Sequence, residues 1–300
     1  MLKLQEGKGV LLCLTTAFVS GFSIFINKFG VKGINPYVFT GVKNFLVAIF
    51  LFSLILAGKE IRILKKMSSR DWLSLFSIGL VGGSIPFLLF FKGLSLTTSA
   101  QASFIHKNMF LLVAFLAPLL LKEKLEKKFF LAGFLLLAGN ILLLIKTFSF
   151  SLNQGSILIL IATFLWALEN IISKKVLKYL PSIIAAWGRM FFGSLLIMVF
   201  LALTGKFKFL TSLKYTHWLW IFITSGLLVA YVSSWYSGLK RVRVSIATSI
   251  LTLGAPITSI LSLTLGKTLT FREIGGIILL FIGIILVIDI KKPSLSLRFR

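Results

Sequence analysis

The chain is a succession of long apolar runs separated by short polar segments. Stretches of about twenty residues with few charges recur along its length, and about twenty residues is what a helix needs to cross ~30 Å of hydrocarbon. The pattern predicts ten membrane-spanning helices, over residues 9–30, 34–57, 72–92, 97–121, 128–147, 155–175, 181–204, 217–239, 243–265 and 272–290. The connections are too short for a separate soluble domain, the longest polar one running from Gly58 to Asp71. The start, Met1 to Gly9, is a short basic lead with no small-residue cleavage site, so the first run is expected to be a retained helix.

The pattern repeats itself. A shift of 146 aligns Gly9 with Gly155, Lys28 with Lys174, Lys43 with Arg189 and Trp72 with Trp218. At 145, Gly93-Leu94 meets Gly238-Leu239, and at 144 Leu125 meets Leu269 and Gly139 meets Gly283. The repeats cover residues 9–147 and 155–290, each with five predicted helices. Five is odd, so the second copy enters the membrane from the opposite side. The expected fold is an all-α integral membrane protein made of two inverted repeats of five, a plan that recurs in secondary transporters with the substrate site between the repeats.

Composition supports a bilayer as the solvent: 57% of residues are hydrophobic and 14% charged, against about 25% charged in soluble domains. The formal net charge of +25, from 33 Lys and Arg against 8 Asp and Glu, would by itself suggest nucleic acid. The basic residues instead sit between the apolar runs, where they set topology and meet anionic headgroups. No nucleic-acid partner is expected. They concentrate on alternate connections, with Lys59, Arg62, Lys65, Lys66 and Arg70 in one and Lys122, Lys124, Lys127 and Lys128 in another. Both termini are therefore expected on the cytoplasmic side of the cell membrane. Cys13 is the only cysteine, which leaves no intrachain disulfide or thiolate cluster, and neither metal nor cofactor is expected.

Polar positions inside the apolar runs carry the candidate chemistry. On the first helix Thr16, Ser20, Ser23 and Asn27 fall within about 60° of one another. The matching stretch of the sixth holds Trp166, Glu169, Asn170 and Ser173. The ninth carries Ser245, Thr248, Ser249, Thr252, Pro256 and Ser259, and the fourth carries Gln101, Ser103, His106, Lys107 and Asn108. Helices one, four, six and nine are thus expected to wall a central cavity. The other reading is hydrogen bonding between helices, common for such side chains in membranes.

Ionisable groups are the sharpest signal, since each costs about 3 kcal/mol at a helix centre. Glu169 is the one acid placed deep within a predicted span, Glu273 and Asp289 lying at the two ends of the tenth; Lys43, Lys107 and Arg189 are its candidate partners. Either Glu169 couples proton movement or binds a cationic group while Lys107 meets an anionic one, or a buried Glu169–Lys107 or Glu169–Arg189 pair orients helices. Lys43 and Arg189, equivalent by the repeat, serve as snorkelling anchors or as substrate contacts. The small residues Ala132, Gly133, Gly139, Gly275, Gly276 and Gly283 suit helix packing or a homodimer contact, and His217 is expected near a helix end. With no paired intramembrane carboxylates, no His-Glu-x-x-His and no Ser–His pair at credible spacing, an enzyme is not expected. A channel or a non-transporting scaffold is the alternative.

These features together resemble the drug/metabolite transporter superfamily, in particular its EamA-type members with two tandem domains, over roughly residues 9–290. Trp166-Ala167-Leu168-Glu169-Asn170 is similar to the family's Trp-Gly-rich first-helix segment, and Lys43 and Arg189 match its basic second-helix position. Leu121-Lys122-Glu123-Lys124-Leu125 resembles its Leu-Gly-Glu-Arg-Leu turn, and Leu265-Gly266-Lys267-Thr268-Leu269 keeps the glycine, followed by Gly275-Gly276 and Gly283. Ser20 stands where the first half usually has tryptophan, and Lys267 where the second has the turn glutamate. The resemblance implies a carrier of small metabolites, often amino acids or related compounds, that exports or exchanges them by alternating access.

Overall fold

The computed structural model of the chain describes residues 2–144, 153–266 and 268–289. In a bilayer every backbone polar group must be satisfied within the chain, and the described residues meet that demand with helices alone: α1 (Leu2–Gly30), α2 (Pro36–Ala57), α3 (Ser69–Leu96), α4 (Ser99–Leu121), α5 (Lys127–Leu144), α6 (Gln154–Val176), α7 (Ser182–Leu203), α8 (Tyr215–Arg241), α9 (Val244–Leu265) and α10 (Phe271–Asp289). Among the described residues nine of them, all but α5, are long and apolar enough to cross a membrane by length and composition. The 18-residue α5 packs along α10. The last predicted residues of the fifth and tenth helices, 145–147 and 290, lie outside the described residues.

Helix ends follow local chemistry. Asn35 accepts from the Tyr37 and Val38 amides ahead of Pro36, fixing the start of α2. A reciprocal Ser68–Asp71 capping box starts α3 earlier than hydropathy alone predicts. His217 sits in the first turn of α8, its Nδ1 accepting from the Lys214 amide at 3.1 Å.

Packing obeys the repeat. α1 lies along α8 and α6 along α3; α1 meets α9 and α6 meets α4; α2 meets α8 and α7 meets α3; α2 pairs with α7, and α5 with α10. Replacing each helix by its partner in the other repeat returns the same set of pairs. The close approaches repeat too. A methyl added to Gly93 would lie 2.7 Å from the Gly155 carbonyl oxygen, and one added to Gly238 would lie 2.7 Å from Cys13 Sγ and 3.2 Å from the Gly9 carbonyl oxygen. Gly139 and Gly276 meet in the same way between α5 and α10, so much of that small-residue seam closes within the chain.

Lys28 and Lys174 show the same symmetry in hydrogen bonds. Lys28 Nζ donates to the Leu94 and Thr97 carbonyls, at 2.9 and 2.5 Å, in the last turn of α3 and just past it. Lys174 Nζ donates to the Leu239 and Val242 carbonyls, at 2.6 and 2.5 Å, in the last turn of α8 and just past it. Each lysine satisfies carbonyls that the end of a helix leaves without a partner.

Three helices are interrupted. α3 contains a π-helical turn, Gly79–Ser84; α4 breaks at Asn108, between Ser99–Lys107 and Met109–Leu121; α9 tightens to a 3-10 turn at Leu251–Leu253. The break in α9 includes Thr252, four residues before Pro256, the carbonyl with which a proline ring collides. The breaks in α4 and α9 occupy equivalent repeat positions and meet, with Thr252 Oγ1 donating to the Lys107 carbonyl at 3.5 Å. Discontinuous helices at matching places are a feature of transporter binding regions.

Candidate functional site

Pro86 explains how α3 positions the site. Its ring cannot coexist with a regular helix carbonyl at Gly82, four residues earlier, and the π turn relieves the conflict. The freed Gly82 carbonyl accepts from Trp166 Nε1 at 2.9 Å and from Arg189 Nε at 3.2 Å, and the Gly83 carbonyl accepts from Asn44 Nδ2 at 3.2 Å. One irregular turn thus gathers side chains from α2, α6 and α7. Only glycine fits there: a methyl on Gly83 would lie 2.0 Å from the Arg189 carbonyl oxygen, and one on Gly82 would lie 2.3 Å from Glu169 Cγ.

Glu169 is fully buried, and Arg189 is its ionic partner, with Nη1 3.7 Å from Oε2. Its Oε1 accepts from Tyr236 Oη at 2.5 Å and from Ser173 Oγ. Of the two pairings open on sequence, the geometry contains the one with Arg189. Lys107 is turned elsewhere, its Nζ donating to Ser20 Oγ at 2.5 Å, in space that Gly254 leaves open.

Between the halves lies a cavity of about 70 Å³, room for several water molecules. α1 contributes Ser20, Ser23, Ile24 and Asn27; α2 Lys43; α3 Phe87, Phe90 and Phe91; α4 His106; α6 Trp166; α7 Arg189; α8 Leu228 and Tyr231. Aromatic faces dominate the wall. Phe87 and Phe90 meet Trp166 with ring centroids 5.4 and 5.2 Å apart, and His106 meets it edge-on at 5.0 Å. Lys43 Nζ lies 3.5 Å from the Phe91 centroid and donates to Asn27 Oδ1 at 3.1 Å. His106 Nδ1 is buried without a hydrogen-bond partner among the described residues.

Seven of the residues singled out on sequence therefore share one cavity: Ser20, Ser23, Asn27, Lys43, His106, Trp166 and Arg189. The others do not line it. Glu169 and Ser173 hold Arg189 from behind. Asn170 accepts from Trp235 Nε1 at 3.0 Å, Gln101 donates to Ser156 Oγ at 2.6 Å, and Asn108 donates to the Phe104 carbonyl at 3.1 Å at the α4 break. Thr252 and Lys107 meet at the crossing of the broken helices. The expected α9 wall differs most. Its hydroxyls bond within the protein, Thr248 to the Val244 carbonyl, Ser249 to the Ser245 carbonyl, Thr252 to the Lys107 carbonyl and Ser245 to the Glu123 carboxylate, so these residues act in interhelical and intrahelical bonding. Sequence reasoning missed the walls supplied by α3 and α8. Pro86 was the available signal for α3, whereas Tyr231 and Leu228 carried none. Among the described residues no group of three His, Cys, Asp or Glu could hold a metal ion. Lys267, the departure in the second turn motif, lies outside the described residues.

Comparison with known proteins agrees with the two-repeat architecture. The model of the EamA-like transporter family matches twice, over residues 7–145 and 153–289. The riboflavin transporter ImpX of Fusobacterium nucleatum is 28% identical over 260 residues, covering 80% of this chain and 84% of that protein. The transporter YyaM of Bacillus subtilis, described as uncharacterized, is 24% identical over 282 residues, covering 88% and 90%. A solved crystal structure at 15% identity has a TM-score of 0.74 and covers 94% of this chain and 99% of its own, a likeness of fold.

Proposed function

The chain belongs to the EamA-like transporter family, and on that premise we propose that it is a secondary carrier moving a small metabolite, such as an amino acid or related compound, across the cell membrane by alternating access. The observation that carries the reading is the central cavity, lined by both repeats and holding the buried cations Lys43 and Arg189. Its residues lie late in α1, early in α2 and late in α3, so the cavity reaches toward the face where α1 ends. On the other side the Glu169–Tyr236–Ser173 cluster and the Lys174 bonds tie α6 to α8. This is one end state of a two-state carrier, and exchange of the roles of the two repeats produces the other. With both termini cytoplasmic, as the basic loops argue, the cavity faces outward, and those loops lie against anionic headgroups.

We read Glu169 as the brace of Arg189 rather than as a proton carrier, because its Oε1 accepts two hydrogen bonds, its Oε2 lies 3.7 Å from Arg189 Nη1, and it stands off the cavity lining. Uptake by Glu169→Gln across pH should slow but keep the shape of its profile; a profile that flattens would make Glu169 the coupling group. Purified protein in proteoliposomes, screened for counterflow of amino acids and of riboflavin, the cargo named for one relative, tests the carrier reading. Saturable counterflow supports it, whereas unsaturating conductance would identify a channel.

A further inference from the structure

In the second repeat the cation on the second helix has its counter-ion within the chain. Arg189 faces Glu169, and Tyr236 and Ser173 donate to that carboxylate. The repeat shifts of 146 and 145 carry these four positions to Lys43, Ser23, Phe91 and Asn27. The basic group is kept, but a short hydroxyl replaces the carboxylate and a bare ring replaces the phenol. Lys43 is 1% exposed, and no carboxylate lies within 4 Å of it among the described residues. Space has opened at the same place: Ser23, Asn27, Lys43 and Phe91 all line the cavity. Lys43 Nζ is met instead by the Asn27 amide oxygen and the Phe91 face, and a second buried cation, Lys107, is met by the hydroxyl of the cavity residue Ser20.

We infer that the missing carboxylate belongs to the substrate: the cavity takes a small aromatic carboxylate, its acid group beside Lys43 and Ser23 where the other repeat has Glu169, and its ring among Phe87, Phe90 and Trp166. This rests on the reading of the cavity as the transport site. A buried ammonium without a counter-ion is unfavourable, and an arriving anion removes that penalty. A neutral amide leaves it in place, and an amine adds repulsion. The ring requirement follows from the wall, whose edge-to-face aromatic surface rewards a flat partner beyond the area it buries.

Three indoles that differ in charge, with one aliphatic acid of similar size, separate these contributions. Thermal unfolding of the full chain in detergent micelles is followed against rising indole-3-acetate, indole-3-acetamide, tryptamine and 4-methylpentanoate. The acid should bind at least about tenfold more tightly than the amide, with tryptamine and 4-methylpentanoate weaker still. Lys43→Met should bring acid and amide to within about twofold of each other. Ser23→Glu should rebuild the arrangement of the second repeat, raising the melting temperature without ligand and abolishing the indole-3-acetate shift. Equal binding of the three indoles, preference for tryptamine, parity of the aliphatic acid, or no shift with any of them would each overturn the inference, and the wild-type series alone decides should a variant not fold. Its failure is separable from failure of the carrier reading: counterflow of another compound would survive the first and not the second.

Discussion

A carboxylate and a guanidinium buried together in a membrane hold their place only while both are present. Glu169 and Arg189 are each almost wholly enclosed, so removing one charge strands the other, at about 3–5 kcal/mol. Glu169→Gln should therefore destabilise the protein by that order, and Glu169→Gln with Arg189→Met together should recover most of the loss; melting temperatures of the single and double variants check this, and additive losses would contradict the pairing. These residues were legible in the sequence because a charge inside an apolar run is conspicuous. Which cation faces Glu169 was not legible, since Lys107 and Arg189 are both within reach on paper and only the rotations of α4 and α7 decide between them. The aromatic wall was hidden for a different reason. In a chain with 30 phenylalanines, Phe87, Phe90 and Phe91 look like any lipid-facing run.

At the scale of elements, helix ends and interruptions matter more than helix count. Lys28 and Lys174 perform the same task in opposite orientations, each satisfying carbonyls at the end of the third helix of its repeat. Replacing either by methionine leaves those carbonyls without their donor, at about 1–3 kcal/mol. The two variants should lose similar stability in thermal unfolding; a large loss for one and none for the other would break the equivalence. The spans and the repeat could be read from hydropathy and self-alignment, because bilayer thickness imposes a length that the sequence displays. The polar stripe on α9 was misleading, since serine and threonine at helical spacing look the same whether they face a cavity or bond to carbonyls, as Thr252 does to that of Lys107. Pro86 was the unused signal for α3, because the clash with the carbonyl four residues back is a local rule that tertiary context does not override.

Across the whole molecule, two repeats share one cavity but furnish it unequally, one with an internal ion pair and the other with a lone lysine. Pairings that map onto themselves when the repeats exchange are compatible with a second, related packing, which the proposed alternating access requires. Sequence could establish the symmetry, but the location of the cavity depends on how seven helices converge. The most direct measurement is counterflow into proteoliposomes loaded with an unlabelled compound that shifts the melting temperature of the protein. The account predicts saturable uptake of the labelled compound, accelerated by the internal load and lost when Lys43 and Arg189 are both replaced by methionine in a variant that still folds. Uptake that neither saturates nor responds to the internal load, or that persists in that double variant, would contradict it.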